Sequence, residues 1–204
     1  MNRSFQSLAG ALALASGLGL AQSSVAATIN FDGFADFQNI NGVDLGGVTV
    51  TNPSGVVEIY ANGRFGVSNS SPGNAIGSFT GGATSINPMI FTFSAPTSFV
   101  TLFGGDEGGD IDSWSLTVYD AQVGGNVLGT TASGDFIGSP YIGLTLAAAS
   151  ILRAEAVWTG TSAGIGFDDL SFDQVTQIPL PAPALLLGAG LAGLIGMARR
   201  RKAG

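Results

Sequence analysis

An all-β fold, a single antiparallel β-sandwich, is what this 204-residue sequence predicts, and three observations carry that prediction. Turn-forming pairs recur at short intervals: Asn41-Gly42, Gly46-Gly47, Asn62-Gly63, Pro72-Gly73, Gly81-Gly82, Gly104-Gly105, Gly108-Gly109, Gly124-Gly125 and Ser133-Gly134. The runs between them are short and rich in Val, Ile, Thr and Phe, as strands of a sandwich or barrel are. Gly supplies 32 residues and charged residues only 10%, against about 25% charged in an average soluble domain.

Taken in order, the expected strands begin with 28–31, ahead of the first turn pair. The run 48–52 follows Gly46-Gly47, and 56–61 ends at Asn62-Gly63. The runs 89–93 and 98–103 flank Ala95-Pro96, and the second stops at Gly104-Gly105. In 114–119 the alternation is clean, so Trp114, Leu116 and Val118 share one face, which should be core. The run 127–131 lies between Gly124-Gly125 and Ser133-Gly134. Then come 141–145, 151–158 and 165–172. Only 144–156 has a helical alternative, and Thr145, Ser150 and Ile151 argue against it. In the last run, Ile165 and Phe167 fall on one face and Leu170 and Phe172 on the other. A bulge at Asp168-Asp169 restores one apolar face and turns out an aspartate.

Composition excludes much chemistry. The chain has no Cys and no His, so disulfide scaffolds, Cys/His zinc sites, Cys nucleophiles and Ser-His-Asp triads are ruled out. Residues 28–177 hold all 14 acids, opposed by Arg64 and Arg153 alone, for a net charge of −12. Such a body repels phosphate backbones, so nucleic acid is not an expected partner.

The two ends read as address segments. Residues 1–27 have the form of a secretory signal peptide: Arg3, an apolar run from Leu8 to Leu20, and small residues Ser24-Val25-Ala26-Ala27, with cleavage expected after Ala26 or Ala27 by signal peptidase. The competing reading is a buried N-terminal helix, too short to span a bilayer by itself. Residues 178–204 combine a proline-rich spacer, fifteen uncharged residues from Ala184 to Ala198, and Arg199, Arg200, Arg201 and Lys202. As a helix the uncharged run is about 22 Å long, a marginal anchor, and the basic cluster orients it with the tail in the cytoplasm and the body outside.

That ending, with Ile178, Pro179, Leu180, Pro181 and Ala182 ahead of an apolar run and a terminal Arg cluster, resembles the PEP-CTERM class of sorting signals in its VPLPA-CTERM variant. Ile178 stands where the variant usually has Val. The resemblance implies a substrate of an exosortase-type membrane protease in a biofilm-forming Gram-negative bacterium, held first in the inner membrane and processed near the Pro-Leu-Pro motif. Unprocessed single-pass anchoring is the other reading. Three body segments, at 29–32, 90–121 and 166–172, resemble the jelly-roll, galactose-binding-like domain often found ahead of such tails.

With His and Cys absent, carboxylates are the residues left to carry site chemistry. Asp106, Glu107, Asp110 and Asp112 lie within seven positions among four glycines, which suits a calcium ion wanting six to eight oxygens from a pliable loop, though a solvated loop has the same composition. The second cluster is Asp168-Asp169. Jelly-roll modules of the kind it resembles often bind calcium between first and last strands, which implicates Asp32 with Asp168 or Asp169; the alternative is a bulge whose aspartates bond to backbone. Tyr60, Tyr141 and Trp158 are the rings that could stack on sugars; the alternative for each is an ordinary core or rim position. The expected role is non-catalytic: an exported protein, structural or adhesive at the cell surface or in the extracellular matrix, with polysaccharide as a partner. The alternatives are a carbohydrate-binding module with a defined glycan site and a glycoside hydrolase using paired acids.

Overall fold

The computed structural model describes residues 24–61, 73–80, 84–85, 87–106, 108–137, 141–160 and 164–175. These form one compact unit, Ser24–Val175. Residues 1–23 of the expected leader and all of the expected 178–204 tail, the sorting motif and basic cluster included, lie outside the described residues. Among the described residues no helix is long and apolar enough to cross a membrane.

Thirteen strands and no helix are found there: β1 (Ser24–Ile29), β2 (Val48–Thr51), β3 (Glu58–Tyr60), β4 (Ala75–Gly77), β5 (Phe79–Thr80), β6 (Thr84–Ser85), β7 (Met89–Gly105), β8 (Ile111–Asp112), β9 (Trp114–Tyr119), β10 (Val127–Ala132), β11 (Phe136–Ile137), β12 (Ile142–Trp158) and β13 (Gly166–Val175). Every pairing is antiparallel. The 144–156 stretch is strand, as its β-branched residues favour. β9 coincides with its expected run, and Trp114, Leu116 and Val118 are all fully buried.

Two expected pairs of strands are each one long strand. β7 passes through Pro96 and β12 through Ser150 because the ladder between them is interrupted there: Phe99 faces Ala147, Thr97 faces Ile151 and Thr92 faces Arg153. Proline has no N–H to offer, so it fits where no rung is needed. Ser150 takes a φ of 66° at the same interruption. The inward phase of β7 changes across it, from Met89, Phe91 and Phe93 to Val100 and Leu102.

The long strands thereby serve two layers. Their outer halves, with β2, β9 and β10, make one layer; their inner halves, with β13, β1, β4 and β3, make the other. The layers face each other through Phe93 against Phe172, at 5.1 Å between ring centres, and Trp114 edge-on to Phe167, at 5.3 Å. A single apolar core fills the space between them, a sandwich with corners where strands change layer.

β13 carries the expected bulge: its register on β7 slips between Asp168 and Ser171, and Asp169 takes a φ of 47°. The slip returns Phe167, Leu170 and Phe172 to the core together. It does not turn Asp168 outward, however; that side chain is fully buried, and Asp169 is the half-buried one. β1 lies along β13 from Ser24 opposite Val175 to Ile29 opposite Leu170, so paired strand begins before residue 28 and runs through the expected cleavage points.

Candidate metal centre

β7 ends at Gly104-Gly105, and both glycines are required by close approach. A Cβ on Gly105 would lie 2.9 Å from the Tyr141 Cα, and one on Gly104 the same distance from the Trp114 ring. Beyond Asp106, residues 108–110 lead into β8, which pairs with β11 through Asp112 opposite Phe136. The turn is tightened by the Gly108 N–H, which donates to Asp106 Oδ1 at 2.8 Å.

Asp106, Asp110 and Asp112 converge there. Each offers a carboxylate oxygen, and the three atoms lie within 4.8 Å of one another. Among the described residues this is the only such group of three. Asp112 is fully buried and Asp106 nearly so. Trp158 reaches the site from the end of β12, its indole N–H donating to Asp112 Oδ1 at 3.0 Å. Asp112 Oδ2 is buried and has no hydrogen-bond partner. Gly108 leaves the space the acids occupy: a Cβ would stand 2.2 Å from Asp110 Oδ1 and 2.9 Å from Asp106 Oδ2. Gly160 does the same beneath the Trp158 indole, where a Cβ would come within 2.4 Å of Nε1.

Like charges this close repel by roughly 3 kcal/mol per pair at an effective dielectric constant of about 20. Burial, above all, pushes the Asp112 carboxyl up to about 7; the Trp158 N–H opposes the shift, and Asp106 and Asp110 add to it. Tyr141 is raised as well, first by burial and then by the charges of Asp168 and Asp106. Arg153, the one cation among the described residues, is held elsewhere, 3.2 Å from Glu155 and over the Tyr119 ring.

The other expected site residues are placed differently. Asp32 is exposed and accepts from the Asn74 N–H at 2.7 Å. Asp168 sits opposite Phe103 and accepts from the Asp169 N–H at 2.7 Å. These three do not form a three-carboxylate group. Glu107 lies outside the described residues. The three candidate stacking rings are buried: Tyr60, Tyr141 and Trp158 are 9%, 6% and 8% exposed, the core alternative, so none presents a face for sugar stacking. Tyr60 donates its hydroxyl to Glu58 and packs edge-on against Phe37, an exposed aromatic. Sequence reasoning picked out Trp158 for the wrong contact and passed over Gly160. The only signal for either was an indole that needs an acceptor when buried.

No protein-family model matches this chain, and no curated protein does. Solved structures do resemble it. The K2 cleaved adhesin domain of Lys-gingipain is 14% identical with a TM-score of 0.48, over 72% of this chain and 99% of that one. The K1 cleaved adhesin domain of Lys-gingipain from Porphyromonas gingivalis W83 is 11% identical with a TM-score of 0.47, over 74% and 99%. TmCBM61, solved in complex with beta-1,4-galactotriose, is 12% identical with a TM-score of 0.39, over 70% and 100%. These likenesses assign no residue of this chain a role.

Proposed function

We propose that this chain is an exported, non-catalytic protein whose β-domain has a structural or adhesive role toward polysaccharide at the cell surface or in the extracellular matrix, and that an exosortase-type protease acts on its 178–204 tail. The observation that supports this reading is the pairing of β1 along β13, from Ser24 opposite Val175 to Ile29 opposite Leu170, of which the Thr28 and Ile29 rungs remain after the expected leader cleavage. The chain enters and leaves the domain side by side, at one end of β13. From that point β13 runs ten residues, about 30 Å, to Gly166 opposite Gly105, next to the acid loop.

The mass of the mature protein from native cells tests the reading. The expected mass lacks the 1–27 leader, the apolar run and residues 199–202. An intact C-terminal peptide in extracellular material overturns the processing step. On a glycan array, saturable binding to one glycan overturns the structural role in favour of a carbohydrate-binding module.

A further inference from the structure

An acid cluster on a surface loop is ordinarily solvated, but this one has a buried member. Asp112 is fully buried, its Oδ1 is engaged by Trp158, and its Oδ2 is buried with no donor, within the group it forms with Asp106 and Asp110. A buried acceptor left without a partner is costly, more so for a carboxylate than for a neutral group. The geometry points to a calcium site made by Asp106, Asp110 and Asp112.

The donor set selects the class of ion. All three side chains are hard oxygen donors and the chain has neither His nor Cys, which favours calcium or magnesium over zinc and copper. Calcium takes six to eight oxygens at about 2.3–2.6 Å in flexible geometry, which a glycine-rich loop can follow, whereas magnesium demands a near-ideal octahedron at about 2.0–2.1 Å. Backbone carbonyls of the glycine-rich turn and water complete a shell of six to eight. No lysine lies between residues 28 and 177 to neutralise the group instead. The ion joins the end of β7 to β8 and, through the Trp158 indole on Asp112, to the end of β12. It therefore ties the ends of β7 and β12 to β8.

The test uses the full-length chain stripped with EGTA and then titrated with calcium alone by calorimetry, and in parallel with terbium, whose emission a neighbouring indole sensitises. The expected result is calcium binding at least tenfold tighter than magnesium, together with terbium emission on tryptophan excitation that calcium reverses and Trp158→Phe largely removes. Asp112→Asn keeps an acceptor for the indole, and Asp110→Asn changes a half-buried loop residue; each weakens calcium binding at least tenfold, whereas Asp169→Asn leaves it unchanged. Absence of calcium binding to the parent chain overturns the assignment. So does binding that survives both loop variants, or that is lost with Asp169→Asn.

Discussion

Gly104 lies between two rings that cannot move far. The ideal Cβ position is 2.9 Å from Trp114 Cε2 and 3.0 Å from the Phe167 ring, and both rings are core, edge-on to each other across the layers. Gly104→Ala is expected to destabilise the domain by about 1–3 kcal/mol through overpacking, read as a lower denaturant midpoint with an unchanged slope. An unaltered midpoint would show that the layers separate more easily than this packing implies. The same scale explains why sequence left the three candidate stacking rings open between surface and core. Tyr60, Tyr141 and Trp158 lie on runs where sequence shows alternation without showing which layer covers which face. Trp158 is drawn inward by Asp112, 46 positions earlier in the chain, and no spacing rule connects the two.

At the level of elements, the corner of β7 is held by one carboxylate. Asp173 on β13 accepts from Thr97 Oγ1, from the Ser98 N–H and from Ser98 Oγ at 2.9 Å. Burial alone would raise its pKa, but these hydrogen bonds together hold it below the usual carboxylate range. The folded-state pKa is depressed, so the stabilisation is present above the unfolded value, near 3.9, and disappears as pH falls through the folded one. Asp173→Asn is expected to cost about 1–3 kcal/mol near neutrality and to flatten the acid limb of the stability curve. Equal acid limbs in parent and variant would remove Asp173 from that role. The pairing of β1 gives a second expectation at this scale. A chain beginning at Thr28 keeps only Thr28 and Ile29 against β13, so hydrogen exchange at residues 173–175 should quicken relative to the full chain, whose β1 reaches Val175. Equal protection would mean that the Ser24–Ala27 rungs add nothing.

Over the whole molecule, twelve net negative charges between residues 28 and 177 oppose compaction. With chelator present, raising monovalent salt from about 0.01 M to about 0.15 M shortens the screening length from about 30 Å to about 8 Å, and the unfolding temperature should rise; a fall would show that attraction outweighs repulsion in the folded charge pattern. The sequence by itself determined the all-β class, the inward face of Trp114, Leu116 and Val118, and the bulge in β13. Each of these follows from the two-residue period of a strand, which neighbouring residues set without reference to anything distant. It also carried the composition of the acid loop. Only the tertiary structure decided that β7 runs unbroken through Pro96, that Ser24 meets Val175, that Asp168 is buried, and that Asp106, Asp110 and Asp112 converge under Trp158 while Asp32 is engaged elsewhere. The reason is physical: pairing partners, layer assignment and the meeting of side chains depend on contacts closed over many tens of residues, and those form only when the two layers pack.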